Sequence, residues 1–446
     1  MRGSISKFFG LRLSRGTATV FSHRLWQGGA GLVTLACIAH FLTPVEQGFY
    51  YTFASLTAVH VLLDMGLSVV LIQVAAHEFC GLAWGARGEV VGEGAERFLC
   101  LMRKAFFWYA MAALVFLLAY PGGLLFLNVP NLNLGYDWRL PWLALVLAAA
   151  ASLLFLPFLA VIEGTGAITE VYTVRLFQAV ASSCAIWLTL SGGGGLYAVV
   201  MMPAASALVA GGWLFSRHRG FLRQIFILVC RDFRWQREVW PMQWRIGVSW
   251  ISGYLLMQIH TPLLFRVKGA VVAGQMGLTL TVANMLGLLA MAGVTSVTPD
   301  LAKAAAARNW AEMDTCFRKV FIVSSLAYLL GAIAFLAIRA ALSWTAYGER
   351  FLSIPLCVAL LSAIFAAHLM GLLSVYLRAH RREPFMLVSI ISAVITVSGA
   401  LLTVSRWGAA GIVSVMLAVN FLFGVPVTYW LWIRLRRQWH YERGER

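Results

Sequence analysis

The chain has 446 residues, of which 61% are apolar and only 12% are charged. That charged share is about half of the usual share in soluble globular proteins, which excludes an ordinary cytosolic enzyme, a disordered chain and a secreted disulfide scaffold. The formal net charge is +17. Because the basic residues form short clusters between apolar runs, the anionic face of a membrane is a better partner for them than nucleic acid.

Apolar runs of about 20 residues follow one another along the chain, and each is long enough to cross a bilayer. Hydrocarbon offers the backbone no hydrogen-bond partner, so each run should be a helix. The sequence predicts twelve spans, and the second and eighth are long enough to tilt or to extend beyond the bilayer. The spans cover residues 22–42, 46–76, 104–127, 139–162, 168–190, 195–215, 245–267, 270–299, 318–338, 352–377, 384–405 and 409–433.

Basic segments divide the chain into five parts. Residues 1–21 mix Arg and Lys with Phe and Leu, and they are expected to form an amphipathic cytoplasmic arm. Spans one to six form a predicted N-lobe over 22–215, and spans seven to twelve form a C-lobe over 245–433. The basic linker 216–244 is expected to lie as a helix on the cytoplasmic lipid surface, and 434–446 is a basic cytoplasmic tail.

The two halves repeat one another in the order of their features. Arg24 opens span one, and Arg245 opens span seven 221 residues later. Gly48 in span two falls opposite Gly274 in span eight. Two halves in the same orientation form a parallel repeat, and transporters built in this way bind their substrate between the halves.

The distribution of Lys and Arg sets the expected orientation. With both termini in the cytoplasm, six of the 35 Lys and Arg residues fall in outside loops and 29 fall in inside segments. This asymmetry is the one that the positive-inside rule describes. With an odd number of spans, the basic segments would no longer all lie on one side. We therefore expect both termini to be cytoplasmic.

A motif in the first two spans carries a family resemblance. The stretch from Phe41 to Tyr50 reads FLTPVEQGFY, and LLDMGL follows from Leu62 to Leu67. A Pro/Glu–Gly turn, a long second span and an Asp-x-Gly element resemble the opening of Wzx-type polysaccharide flippases. These belong to the multidrug/oligosaccharidyl-lipid/polysaccharide (MOP) exporter superfamily, which also holds the MATE drug exporters and the lipid II flippases. Twelve spans in two lobes extend the resemblance over nearly the whole chain.

The resemblance implies an all-α polytopic membrane protein with about 12 transmembrane helices in two six-helix lobes, a V-shaped transporter of the bacterial inner membrane. It would export an undecaprenyl-diphosphate-linked oligosaccharide for cell-surface polysaccharide synthesis by alternating access. The implied partners are this lipid-linked oligosaccharide, anionic membrane lipids, and the polysaccharide polymerase and export machinery, without nucleic acid. No catalytic residue, metal or cofactor is expected, apart from coupling to H⁺ or Na⁺, and the chain is not expected to be an enzyme.

Four arginines near predicted cytoplasmic ends of spans are candidate ligands for the diphosphate. A guanidinium group is always charged and can bind phosphate oxygens in bidentate fashion. Arg24 and Arg245 occupy corresponding positions in the two halves, and Arg175 and Arg378 are similar candidates in inside loops. The alternative role for each is interfacial anchoring, since Arg accumulates on the inside of membrane proteins anyway.

Asp64 and His60 are the candidate coupling pair. Asp64 lies deep in span two, and His60 lies one turn earlier on the same helical face. A carboxylate at membrane depth costs roughly 2.5–3.5 kcal/mol on insertion scales, so it needs a partner or an ion. The pair would bind H⁺ or Na⁺, whereas the alternative is a structural hydrogen bond between Asp64 and its neighbours near Gly66.

Other functions lack the features that they require. A glycan polymerase or ligase, the enzyme alternative, generally needs a large outside loop, and the longest here is 128–138. There is no P-loop, and the 77–103 loop lacks the signature of major facilitator transporters. Glu163 and Glu170 are expected to cap helices or to pair with Arg175. A MATE-type drug exporter is the main alternative, since it would share the fold, but a basic inside face fits a diphosphate better than cationic drugs.

Overall fold

The computed structural model describes residues 15–128, 137–227, 233–380 and 385–441. This part of the chain is almost entirely helical and forms two compact units. One unit comprises Met1–Phe41 and Thr57–Trp250, and the other comprises Leu42–Leu56 and Ile251–Arg446. Spans two and seven therefore each contribute to both units. Most of the predicted amphipathic arm lies outside the described residues.

The helices follow the apolar runs and are joined mostly by short connections. In chain order they are α1 Arg15–Phe41, α2 Pro44–Thr57, α3 His60–Asp64, α4 Leu67–Glu78, α5 Ala95–Phe116, α6 Ala119–Leu127, α7 Arg139–Gly164, α8 Ile168–Ser191, α9 Tyr197–Arg217, α10 Arg219–Ile227, α11 Trp235–Glu238, α12 Trp240–Gln258, α13 His260–Lys268, α14 Ala270–Ala306, α15 Trp310–Ala341, α16 Ile354–Arg378, α17 Met386–Ala418 and α18 Val425–Tyr441. The remaining elements are a two-stranded antiparallel hairpin, β1 Ala83–Trp84 and β2 Val90–Val91, 3₁₀ turns at Leu342–Trp344 and Gly348–Arg350, and a π-helical stretch Val419–Gly424.

Nine helical stretches of the described residues are long and apolar enough to cross a membrane, so the chain is a multi-pass membrane protein. The sequence predicts twelve spans, and three differences account for the gap. α1 covers predicted span one, but its polar residues and glycines lower its mean hydropathy. Predicted span seven is broken at Ile259 into α12 and α13. Predicted spans eleven and twelve form one continuous stretch, Met386–His440.

That last stretch reverses direction inside α17. Gly408 has φ 57° and ψ −131°, which glycine adopts far more readily than other residues. A Cβ placed on Gly399 would lie 2.7 Å from the Cγ1 atom of Val415. In a straight helix these two residues would be about 24 Å apart. The segments before and after Gly408 are therefore antiparallel neighbours rather than one long span.

Span two is broken, where the sequence predicts one overlong helix. α2 ends at Thr57, α3 makes little more than one turn, and Met65 and Gly66 are both left-handed, with φ 48° and 68°. A Cβ on Gly66 would lie 2.2 Å from the Cγ2 atom of Ile246 in α12. Both the backbone angle and the close approach of α12 therefore require glycine here, and the turn places Asp64 at its start.

The first part of the predicted linker packs on protein. Phe221 and Ile225 of α10 are fully buried. The side-chain amide of Gln224 accepts from the Val90 N–H at 2.8 Å and donates to the Val90 carbonyl at 3.1 Å, so α10 is bound to strand β2. One apolar face of α10 thus covers the β-hairpin and its neighbours, while Phe226 and Ile227 are exposed. The predicted contact of the linker with lipid stays a prediction. Residues 228–232 lie outside the described part of the chain.

The first part of the predicted tail continues α18 as a helix. Arg436 forms a bidentate ion pair with Asp314 of α15. The hydroxyl of Tyr376, from α16, donates to the same carboxylate at 2.6 Å. These bonds tie the end of α18 to two other helices of the second unit.

In the second unit, α2 packs against α14 through facing glycines. A Cβ on Gly48 would lie 1.9 Å from the Ala270 carbonyl oxygen, and a Cβ on Gly274 would lie 2.8 Å from the Gly48 nitrogen. The buried amide of Gln47 donates to the carbonyls of Gly274 at 2.9 Å and Arg350 at 3.0 Å. Small residues allow helix backbones in membranes to approach closely. The two glycines that the sequence repeat pairs are therefore in direct contact.

Candidate functional site

Two arginines of the first unit act on the same histidine. α1 packs along α8, and Arg24 of α1 and Arg175 of α8 both act electrostatically on the imidazole of His23. The His23 ring meets the edge of the Tyr172 ring, with ring centres 6.0 Å apart. We call His23, Arg24, Tyr172 and Arg175 the basic cluster. The sequence predicts Arg24 and Arg175 as separate candidates, and the structure brings them to one place.

Arg175 is held by two contacts. Its Nη2 atom donates to the Oε2 atom of Glu163 at 2.7 Å, and its guanidinium carbon lies 5.0 Å from the centre of the Tyr172 ring. The expected pairing of Glu163 with Arg175 is therefore present. A guanidinium group has five N–H donors, so a carboxylate on one of them leaves donors for a second anion. The ion pair fixes the position of Arg175 and cancels one of the two arginine charges.

Arg24 is exposed and acts on the same imidazole as Arg175. The charges of Arg24, Arg175 and Glu163 sum to +1 when His23 is neutral. A surface that presents guanidinium groups next to an imidazole and a phenol ring suits phosphate, which takes charge-assisted hydrogen bonds from each of these groups. The geometry can therefore bind an anion with several oxygens.

Sequence reasoning missed His23 and Tyr172. His23 directly precedes Arg24, and Tyr172 lies three residues before Arg175 on the same helical face, so each has a local signal. The packing of α1 on α8 brings the pair His23–Arg24 to the pair Tyr172–Arg175, and no local sequence signal predicts that packing. Local spacing would thus find the two halves of the cluster but would not assemble them.

The other two arginine candidates lie elsewhere. Arg245 is exposed in α12, and its guanidinium carbon lies 5.7 Å from the centre of the neighbouring Trp244 ring. Two residues later, Gly247 packs against Met65, so Arg245 lies close to the turn that follows Asp64. Arg378 is exposed in the last turn of α16 in the second unit. The partial negative charge at a helix C-terminus stabilises a cation there.

Asp64 is buried, with 2% of its surface exposed, and it accepts hydrogen bonds from two side chains. The hydroxyl of Tyr109 donates to Oδ1, and the hydroxyl of Ser68 donates to Oδ2 at 3.1 Å. The Ser68 backbone N–H also points to Oδ1, at 3.4 Å. The carboxylate therefore caps the start of α4, where the N–H groups have no helical acceptor. The structural alternative for Asp64, a hydrogen bond to its neighbours near Gly66, is therefore present as the two bonds from Ser68.

His60 is bonded differently. Its Nδ1 atom lies 2.9 Å from the Thr57 carbonyl oxygen, and its ring meets the edge of Phe116. Within the part of the chain that the structure describes, His60 and Asp64 share no hydrogen bond. Ser68 could be found from its i+4 spacing, whereas Tyr109 lies 45 residues away in α5 and has no local signal. The coupling role of the pair stays a prediction.

The described part of the chain has the fold of an all-α multi-pass membrane protein. No family model matches the sequence, and no curated protein matches it either. Among solved structures, the chain is similar to an inward-facing multidrug resistance MATE family transporter of the MOP superfamily, with a TM-score of 0.63 and 16% identity over 96% of both chains. It is also similar to the lipid II flippase MurJ in an inward closed conformation, with a TM-score of 0.62 and 12% identity over 93% of this chain and 86% of that one.

A third similar structure is a MATE transporter in a bent conformation, with a TM-score of 0.55 and 15% identity over 94% of this chain and 95% of that one. At these identities the likeness concerns the fold. The predicted fold class, an all-α polytopic membrane protein with a MATE-like fold, is therefore confirmed. The similar proteins are transporters and a flippase rather than enzymes.

Proposed function

We propose that the chain is a flippase that carries an undecaprenyl-diphosphate-linked oligosaccharide across the bacterial inner membrane by alternating access, with both termini in the cytoplasm. The observation that carries the proposal is the convergence of Arg24 and Arg175 beside His23 and Tyr172. A diphosphate has adjacent negative charges, which neighbouring guanidinium groups match in charge and geometry. The similarity of the fold to a lipid II flippase supports this substrate class.

Arg245 and Arg378 are proposed as further ligands on the transfer path, because each presents an exposed guanidinium at a helix end or beside the Asp64 turn. Asp64 is proposed as the coupling group. The hydrogen bonds that it receives in the described residues come from neutral donors. A buried carboxylate without a cationic partner is well suited to bind a proton or Na⁺, and His60, one turn away, would modulate that affinity.

A second candidate function is drug export, which the similarity to MATE transporters favours. A deletion strain separates the two. For a flippase, the strain accumulates undecaprenyl-linked glycan in its membrane and loses surface polysaccharide, while its drug resistance is unchanged. Increased drug sensitivity without accumulation of lipid-linked glycan would contradict the flippase and support the exporter.

Substitutions in the basic cluster test the site itself. We expect Arg24→Ala and Arg175→Ala each to slow glycan transport roughly 10- to 100-fold, since a hydrogen bond to a charged group contributes about 1.5–3 kcal/mol. Lys should restore only part of the rate, because it lacks the planar fork. Arg219→Ala is the matched control, since Arg219 is exposed and its guanidinium bonds to the Phe215 carbonyl. Normal transport by both cluster variants at normal expression would show that these arginines are only anchors.

A further inference from the structure

His23 is the member of the basic cluster whose side-chain type can gain or lose a proton in the physiological pH range. It lies half-buried between α1 and α8, with its ring against the edge of Tyr172. Arg24 and Arg175 both act on it electrostatically. Neither the sequence motif nor the proposed phosphate contacts of the arginines assigns it a role.

The charges around His23 are mainly positive. From α1 it faces Arg24, and from α8 it faces Tyr172 and Arg175. Glu163, at the end of α7, forms an ion pair with Arg175 at 2.7 Å. Glu170, the other carboxylate on this part of α8, is turned towards α9 and its end, where His218 lies 3.4 Å and Arg217 3.8 Å from it.

We infer that His23 takes up a proton when the basic cluster binds a diphosphate diester, so that substrate capture and protonation are linked. Burial, Arg175 and Arg24 all oppose a positive charge on His23, and two bound phosphate charges favour one. This inference rests on the proposed function, because it requires an anionic substrate at the cluster. It adds a titratable binding residue to a site otherwise made of permanently charged groups.

The charge balance supports the inference. Arg24, Arg175 and Glu163 sum to +1, and a protonated His23 raises the site to +2. A diphosphate that links a lipid to a sugar has two negative charges, which match the charge of these four residues when His23 is protonated. By linkage, affinity should rise as pH falls from the pKa of His23 in the complex to its lower pKa in the free protein, and it should be independent of pH above and below that range.

The test uses the full-length protein in lipid nanodiscs. The probe is a short-chain prenyl diphosphate linked to one N-acetylglucosamine, because both of its phosphates are diesters that keep one charge each at neutral pH. Calorimetry in buffers with different ionisation enthalpies counts the protons exchanged on binding. We expect the parent to take up a fraction of a proton, at most one, and to bind up to tenfold more tightly for each pH unit lowered. His23→Gln should bind with no proton uptake and a flat pH profile.

His77→Gln is the matched control, since His77 is an exposed histidine at the end of α4 in the same unit and lies outside the cluster. This variant should behave as the parent does, and thermal unfolding should show that both variants are folded. If the parent binds the probe no better than the corresponding prenyl glycoside without phosphates, the proposed anionic substrate is wrong. If the parent binds the diphosphate but takes up no protons, or if His23→Gln takes up as many, the inference is overturned and the flippase proposal stands.

Discussion

At the scale of single residues, Asp64 combines a structural role with a proposed transport role. Its carboxylate caps α4 through Ser68 and accepts the hydroxyl of Tyr109 from α5. Capping needs an acceptor oxygen but not a negative charge, since Asn caps helices about as well as Asp. Ion or proton coupling, in contrast, needs the acid. Substitutions at this one position can therefore separate the two roles.

We expect Asp64→Asn to fold with a stability within about 1 kcal/mol of the parent and to lose its response to an ion gradient. Asp64→Ala should be less stable by about 1–3 kcal/mol, because it leaves the buried hydroxyl of Tyr109 without its acceptor. Transport into inverted vesicles, with and without an imposed proton or Na⁺ gradient, measures the first effect. Thermal unfolding in detergent measures the second.

Tyr109→Phe is the control for the Asp64 series, since it removes one hydrogen bond and keeps the carboxylate. This variant should still respond to the gradient. If Asp64→Asn also responds as the parent does, Asp64 is a helix cap and the coupling site lies elsewhere in the chain.

At the scale of helices, the contact between α2 and α14 depends on the absence of a side chain at Gly48. We expect Gly48→Ala to lower the free energy of unfolding by about 1–3 kcal/mol or more, as overpacking does, because the new Cβ would meet the Ala270 backbone, which cannot rotate away. Gly287→Ala in α14 is the control, since no atom lies within 4 Å of a Cβ there. It should be neutral or stabilising, given the higher helix propensity of alanine.

Thermal unfolding of both glycine variants in the same detergent gives the comparison. An equal melting temperature for Gly48→Ala and the parent would mean that α2 and α14 are further apart than the structure places them.

Helix positions were predictable from the sequence because an apolar run long enough to cross a bilayer is a local property. The break in span two was not, since the left-handed turn at Met65 and Gly66 lies where α12, distant in the chain, packs against it. The bond from Tyr109 to Asp64 and the contact of α1 with α8 join residues that are distant in the chain. Arg24, Arg175 and Asp64 were identifiable as candidates from residue type and position alone, whereas their partners depend on packing.

At the scale of the whole molecule, the turn at Gly408 decides the topology. With cytoplasmic termini and a chain reversal at this glycine, Trp407 should face the outside. We expect Trp407→Cys, in a chain without its native cysteines, to react with an impermeant maleimide added to intact spheroplasts. Trp407 is 60% exposed, so a cysteine there would be accessible.

Arg437→Cys is the inside control and should react only after the membrane is permeabilised. Labelling of both Arg437→Cys and Trp407→Cys in intact spheroplasts would contradict two crossings by Met386–His440. Labelling of Trp407→Cys only after permeabilisation would show that the orientation is reversed.

The contact of Gly48 with Ala270 and Gly274 also bears on how the protein is made. Gly48 of α2 leaves the ribosome 222 residues before Ala270 does, and at about 5–20 residues per second this corresponds to a wait of roughly 11–44 seconds. During that time the amide of Gln47 and the bare glycine surface have no partner helix, although the helices around them are already being inserted. The second unit therefore cannot close before more than half of the chain has been translated, and its first helix must be kept from unproductive pairing until then.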